Sequence, residues 1–94
     1  MIVRIVRMEF LPEKVSEFLE LFQSTREQIR NFPGVEKLEF YRDASAGNVY
    51  YTLSHWRSTG DLEKYRKSEL FANVWGKTRV LFSEKAQAFS LVEE

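Results

Sequence analysis

No cysteine occurs among the 94 residues, which removes disulfides and thiolate metal sites as supports for a small core. A single histidine leaves an all-protein metal centre without its usual ligands, and no metal site is expected. Net charge is also lacking, because 14 basic residues balance 14 acidic ones. A chain without a clustered positive surface is not expected to seek nucleic acid or an acidic membrane. No apolar run approaches the ~20 residues of a membrane span. The opening MIVRIVRMEF alternates and is broken by Arg4 and Arg7, unlike the unbroken apolar segment of a signal peptide. A cytoplasmic location is the resulting expectation.

What the chain does have is aromatic material: 15% of residues, eight of them phenylalanine, within a 44% hydrophobic total. A chain of this length is expected to form one domain, residues 1–94, and to bury only ~60–70% of its unfolded surface. The stretch from Val49 to Phe82 gathers both tryptophans, the only histidine and three of the four tyrosines, so a chemical site is sought there first.

The segment from Ile2 to Phe10 places Ile2, Val6, Met8 and Phe10 on one face with Arg4 among them, and Val3 and Ile5 on the other. This alternation predicts a strand. Pro12 then sits where a first helical turn tolerates it, and Val15, Phe18, Leu19, Phe22 and Ile29 recur at helical spacing. The helix is expected to stop near Asn31, since Phe32 precedes Pro33 and Pro33-Gly34 is a turn signal. Val35 to Arg42 and Val49 to Trp56 read as two strands joined by the polar connection Asp43–Asn48. Ser58 and Asp61 have capping-box spacing, with Asp in place of the usual Glu, ahead of a short helix carrying Leu62 and Tyr65. Ser68 is placed to cap a second helix carrying Phe71, Val74, Trp75 and Thr78. Lys85 to Val92 reads as the last strand.

The order β-α-β-β-α-β predicts an α+β, ferredoxin-like fold: a four-stranded antiparallel sheet with helices on one face. That plan leaves the other sheet face uncovered. The third strand offers Tyr50, Thr52, Ser54 and Trp56 on one side and Val49, Tyr51, Leu53 and His55 on the other. The first strand is apolar on both sides, and Phe89 and Leu91 lie opposite the small residues of the last. An open face this apolar predicts a homodimer in which two sheets pack together.

The run from Trp56 through Ser58, Leu62, Tyr65 and Ser68 to Phe71 resembles the antibiotic biosynthesis monooxygenase superfamily, as does the Pro-Glu-Lys opening at Pro12. The likeness covers nearly the whole chain, and it implies a dimeric α+β barrel. Members include cofactor-independent oxygenases of quinols and phenols, haem-degrading enzymes, proteins acting on a signalling molecule, and many without assigned activity. The haem-degrading branch places a haem-distorting tryptophan at the position of Tyr65, an iron-ligating histidine at that of Trp75 and a catalytic asparagine near Val6. All three differ here, and an indole has no lone pair for a metal, so haem degradation is disfavoured.

The oxygenase branch needs only to bind an electron-rich phenol, assist its proton loss and stabilise the anion, with no cofactor. A small aromatic or quinol-like molecule is the implied partner. The candidate catalytic residues are His55 as proton acceptor and Tyr65 as hydrogen-bond donor. Trp75 is a candidate stacking wall in a substrate site, with Asn73 or Arg79 as anion stabiliser. Each has a plain structural use too: His55 as a locally bonded strand residue, Tyr65 and Trp75 as packing, Arg79 as a partner of Glu84 or a helix end. In many members a histidine stands where this chain has Tyr65. The alternative function is a non-catalytic dimeric module that binds a small apolar ligand or a partner.

Overall fold

Side chains alternate along a strand, so the register of the sheet decides which residues face the helices. The computed structural model describes residues 1–94. Its elements run β1 (Ile2–Phe10), α1 (Val15–Arg30), β2 (Val35–Arg42), β3 (Val49–Trp56), α2 (Thr59–Arg66), α3 (Glu69–Arg79) and β4 (Phe82–Val92), with one 3-10 turn, Pro12–Lys14, leading into α1. The strands lie in the order β2-β3-β1-β4 and every neighbouring pair is antiparallel. This is the ferredoxin-like α+β plan expected from the element order.

Boundaries follow the local chemistry. Arg30 ends α1 one residue before Asn31, and Gly34, at φ 96°, makes the turn into β2. In the β2–β3 connection the Asp43 carboxylate accepts from the amides of Ser45 at 2.9 Å and Ala46 at 3.1 Å. The Ser45 amide is the main reason that its proton affinity falls below the usual aspartate range. The last strand is longer than the alternation suggested, beginning at Phe82 instead of Lys85. Register shifts beside Glu9 interrupt the two-residue period there, yet Glu9 pairs with Glu84 and Phe10 with Phe82.

Two rows across the helix-facing side set the floor of the interior. Leu38, Ser54, Arg4 and Ser90 form one row, and Phe40, Thr52, Val6 and Ala88 the next. The dense core fills one end of this layer, with Met8, Phe10, Phe18, Phe22, Tyr50 and Leu81 all buried. Phe10 stacks on Phe18 with ring centres 4.0 Å apart, and Phe22 on Phe40 at 4.2 Å. Burying each such ring stabilises the fold by roughly 1.5–3 kcal/mol.

The opposite face carries no helix. Its rows read Lys37, His55, Val3, Leu91 and then Glu39, Leu53, Ile5, Phe89. Phe89 and Leu91 are 54% and 49% exposed.

Candidate functional site

Beyond the packed core, the layer between sheet and helices opens into a cavity of about 300 Å³. Its floor is Arg4, Val6, Leu38, Thr52 and Ser54; Phe18, Phe22 and Ile29 of α1 form one wall. The roof is Leu62, Tyr65 and Arg66 of α2 with Phe71, Val74, Trp75 and Thr78 of α3. Those four α3 positions share one helix face at three- and four-residue intervals.

Two serine caps hold the roof in place. Ser58 Oγ accepts from the Asp61 amide at 3.1 Å, while the Asp61 carboxylate accepts from Ser58 Oγ and, at 3.2 Å, from Arg57 Nε. Ser68 Oγ accepts from the Phe71 amide at 3.1 Å and donates to the Tyr65 carbonyl at 2.6 Å, joining the end of α2 to the start of α3. The Tyr65 and Phe71 rings consequently meet edge to face at 5.2 Å. From there the aromatic wall continues through Trp75, parallel to Phe71 at 5.9 Å, to Phe82. On its other side Tyr65 meets Trp56 at 5.1 Å and Phe32 at 5.2 Å.

The polar groups divide into occupied and free. Ser54 Oγ accepts from the Trp56 indole N–H at 2.9 Å, and Thr78 Oγ1 donates to the Val74 carbonyl at 2.7 Å. The hydroxyls of Thr52 and Tyr65 have no protein partner and no polar side-chain atom is both fully buried and unbonded, so both open onto free space. No aspartate, glutamate or histidine lines the cavity.

Burial pushes the Tyr65 phenol up from 10.0 to about 12. It therefore stays protonated at neutral pH and acts as a donor, not as a base. The raised value also makes the fold sensitive to alkali. Between pH 10 and about 12 only the unfolded chain ionises this group, so stability present below pH 10 is lost as pH rises through that window. The loss reaches at most about 2.7 kcal/mol. Urea unfolding of Tyr65→Phe should show that much less alkaline destabilisation than the parent; identical slopes would place the phenol in water.

A family model described as antibiotic biosynthesis monooxygenase matches residues 1–75, from β1 through the cavity roof to Trp75. The chain belongs to the antibiotic biosynthesis monooxygenase family. No curated protein sequence matches it. Among solved structures, one described as an antibiotic biosynthesis monooxygenase superposes with TM-score 0.93 at 15% identity, covering 100% of this chain and 99% of that one. A conserved protein from Methanosarcina mazei Go1 gives 0.92 at 20% identity, covering 100% and 94%. A Mycobacterium tuberculosis protein gives 0.91 at 19% identity, covering 99% and 94%. At these identities the likeness speaks for the shared fold.

In this family member the sequence-derived candidates fall into two groups. Tyr65 and Trp75 both line the cavity. His55 does not: it follows Ser54 on β3 and so faces the opposite side of the sheet, where its Nε2 lies 3.0 Å from Glu39 Oε1. The Tyr41 hydroxyl first, and this imidazole second, hold Glu39 below the usual carboxylate range. Asn73 and Arg79 are solvent-exposed on α3 and take no part in the lining, since Phe71, Val74, Trp75 and Thr78 occupy its inner face. The residues that sequence reasoning passed over are Arg4, Thr52 and Arg66. Arg4 did leave a signal, as the one charge on a strand face otherwise made of Ile2, Val6, Met8 and Phe10.

Proposed function

We propose that this family member is a cofactor-independent monooxygenase of a quinol or phenolic small molecule held in the cavity between sheet and helices. The observation that carries the reading is the aromatic-walled space of about 300 Å³ whose polar side-chain groups are hydroxyls, guanidinium groups and indole N–H groups, without a carboxylate. Trp75, Phe71 and Tyr65 offer ring faces and edges for a flat substrate. Tyr65, Thr52 and Arg4 offer donors to an anion. With His55 outside the cavity, the proton leaves to water, and the site's contribution is to favour the phenolate over the phenol. The electrons come from the substrate: for a hydroquinone, one oxygen atom of O₂ enters the ring, the other departs as water, and a hydroxyquinone results.

Two copies are proposed to pair through the uncovered sheet face. Half-exposed Phe89 and Leu91 beside Val3, Ile5 and Leu53 support this, because a small subunit alone has no layer to cover them. Sedimentation at micromolar concentration should give a species of twice the chain mass; a single copy throughout would overturn the pairing.

Oxygen uptake tests the chemistry. With a panel of hydroquinones and polycyclic phenols, uptake should exceed a heat-denatured control and rise with pH through the substrate's own ionisation. No member of the panel being turned over would overturn the oxygenase reading. One observation favours a second reading, binding without turnover: no side chain lining the cavity is a base at neutral pH.

A further inference from the structure

We infer that the ligand of this cavity is an aromatic acid, its carboxylate held by Arg4 and Arg66 and its rings by the aromatic wall. The inference rests on the proposed function only in taking the same cavity as the binding site.

The charge of the lining carries it. Arg4 and Arg66 are the only ionised side chains there, and both are cations. Arg66 is exposed, so the lining reaches solvent beside it, and its charge lies close enough to bear on that of the half-buried Arg4. Arg66 has a carboxylate already, since its Nη1 lies 3.1 Å from Glu63 Oε1. Arg4 forms no ion pair; its guanidinium donates one hydrogen bond, from Nη1 to Ser90 Oγ at 2.9 Å. Counting Glu63, the cluster of Arg4, Arg66 and Glu63 keeps one uncompensated positive charge. Burial first, and repulsion from Arg66 second, lower the proton affinity of Arg4, while Glu63 opposes them. Arg4 is partly desolvated and has no ion-pair partner of its own, so an incoming anion would find its charge available.

Carboxylate suits the position better than a second neutral donor or acceptor would. A guanidinium presents its N–H groups as a planar fork matching the two oxygens of a carboxylate, and Arg4 has most of its donors unused. Thirteen of the eighteen lining residues are hydrophobic, so the rest of the ligand must be apolar. The rings of Tyr65, Phe71 and Trp75 in the lining favour an aromatic ligand over an aliphatic chain. The chemistry that emerges is a compact aromatic carboxylate entering rings first, with its charged end left at the mouth.

The test uses 2-naphthoate and its neutral isostere 2-naphthamide, titrated calorimetrically into the parent protein and into Arg4→Gln and Arg4→Lys. The acid should bind about 10- to 100-fold more tightly than the amide, the range of one charge-assisted hydrogen-bond pair. The preference should shrink to within about 3-fold in Arg4→Gln, partly survive in Arg4→Lys, and weaken with added salt. Equal affinity for acid and amide in the parent, or no binding of either at millimolar concentration, overturns the inference. So does a preference that persists in a folded Arg4→Gln variant. Should that variant fail to fold, the comparison in the parent decides alone. An acid preference without oxygen uptake would sink the oxygenase reading and leave this one standing; turnover of neutral quinols with no acid preference would do the reverse.

Discussion

Trp56→Ala should lower the unfolding free energy by about 4 kcal/mol, within the range of roughly 3–5 kcal/mol for deleting a buried indole. The residue is 1% exposed at the end of β3, and it meets Phe32 from the loop after α1 and Tyr65 from α2. Removing it opens a void where three elements join. It also leaves Ser54 Oγ without the indole N–H that bonds it at 2.9 Å. Such a loss is a large part of the roughly 5–15 kcal/mol total of an ordinary domain, so the variant should be partly unfolded at 37 °C. Urea denaturation measures it as a lower midpoint at unchanged slope. Trp75→Ala should cost clearly less, because that indole is only partly buried whereas Trp56 is almost fully enclosed, so less apolar surface is lost with it. Equal losses for the two would mean that Trp56 is not the anchor between strand and helix.

Gly34→Ala is expected to cost about 2–4 kcal/mol, a large effect for one added methyl group. Two terms combine. The backbone at Gly34 has φ 96°, where a β-carbon costs roughly 1–2 kcal/mol. That carbon would also stand 2.4 Å from Asp61 Cβ and 2.5 Å from its Cγ, so α2 or the turn must move. Moving Asp61 disturbs the cap at Ser58, a feature worth about 1 kcal/mol. The Gly34 carbonyl further accepts from the Arg57 amide at 2.8 Å, tying the same turn to the end of β3. The cavity roof should loosen with it, which a ligand titration would register. A double-mutant cycle separates the terms, since Asp61→Gly removes the opposing carbon and should make Gly34→Ala milder. A loss below about 1 kcal/mol for Gly34→Ala alone would show that the turn yields freely.

Much of this fold was legible from local pattern. The strands β1, β2 and β3, the helix α1 and the paired helices α2 and α3 all follow from periodicity, from Pro33-Gly34 and from the serines at 58 and 68, which cap both roof helices. The start of β4 was not legible, because the stretch from Phe82 to Glu84 joins the sheet across register shifts that break the two-residue alternation.

The candidate site was less legible. Tyr65 and Trp75 stood out as large groups at helical spacing, and both border the cavity. His55 stood out as the only histidine, although alternation already set it on the other face from Ser54 and Trp56. Only the packing shows that the cavity lies on their side. Asn73 and Arg79 drew notice as polar groups near Trp75, although helix phase turns them to solvent. Arg4 was visible as a charge within an apolar face, yet its lack of an ion-pair partner is a fact of three dimensions.

By itself, then, the order of residues determined the family, the element sequence and the alternation of faces along β1, β2 and β3. Those properties depend on covalent spacing and on hydrogen bonds between near neighbours. Only the tertiary structure decided that a cavity exists, that Arg4 and Arg66 both line it, and that no aspartate, glutamate or histidine does. Empty volume and uncompensated charge arise from how far apart distant segments settle, and side-chain packing across the layer sets that distance.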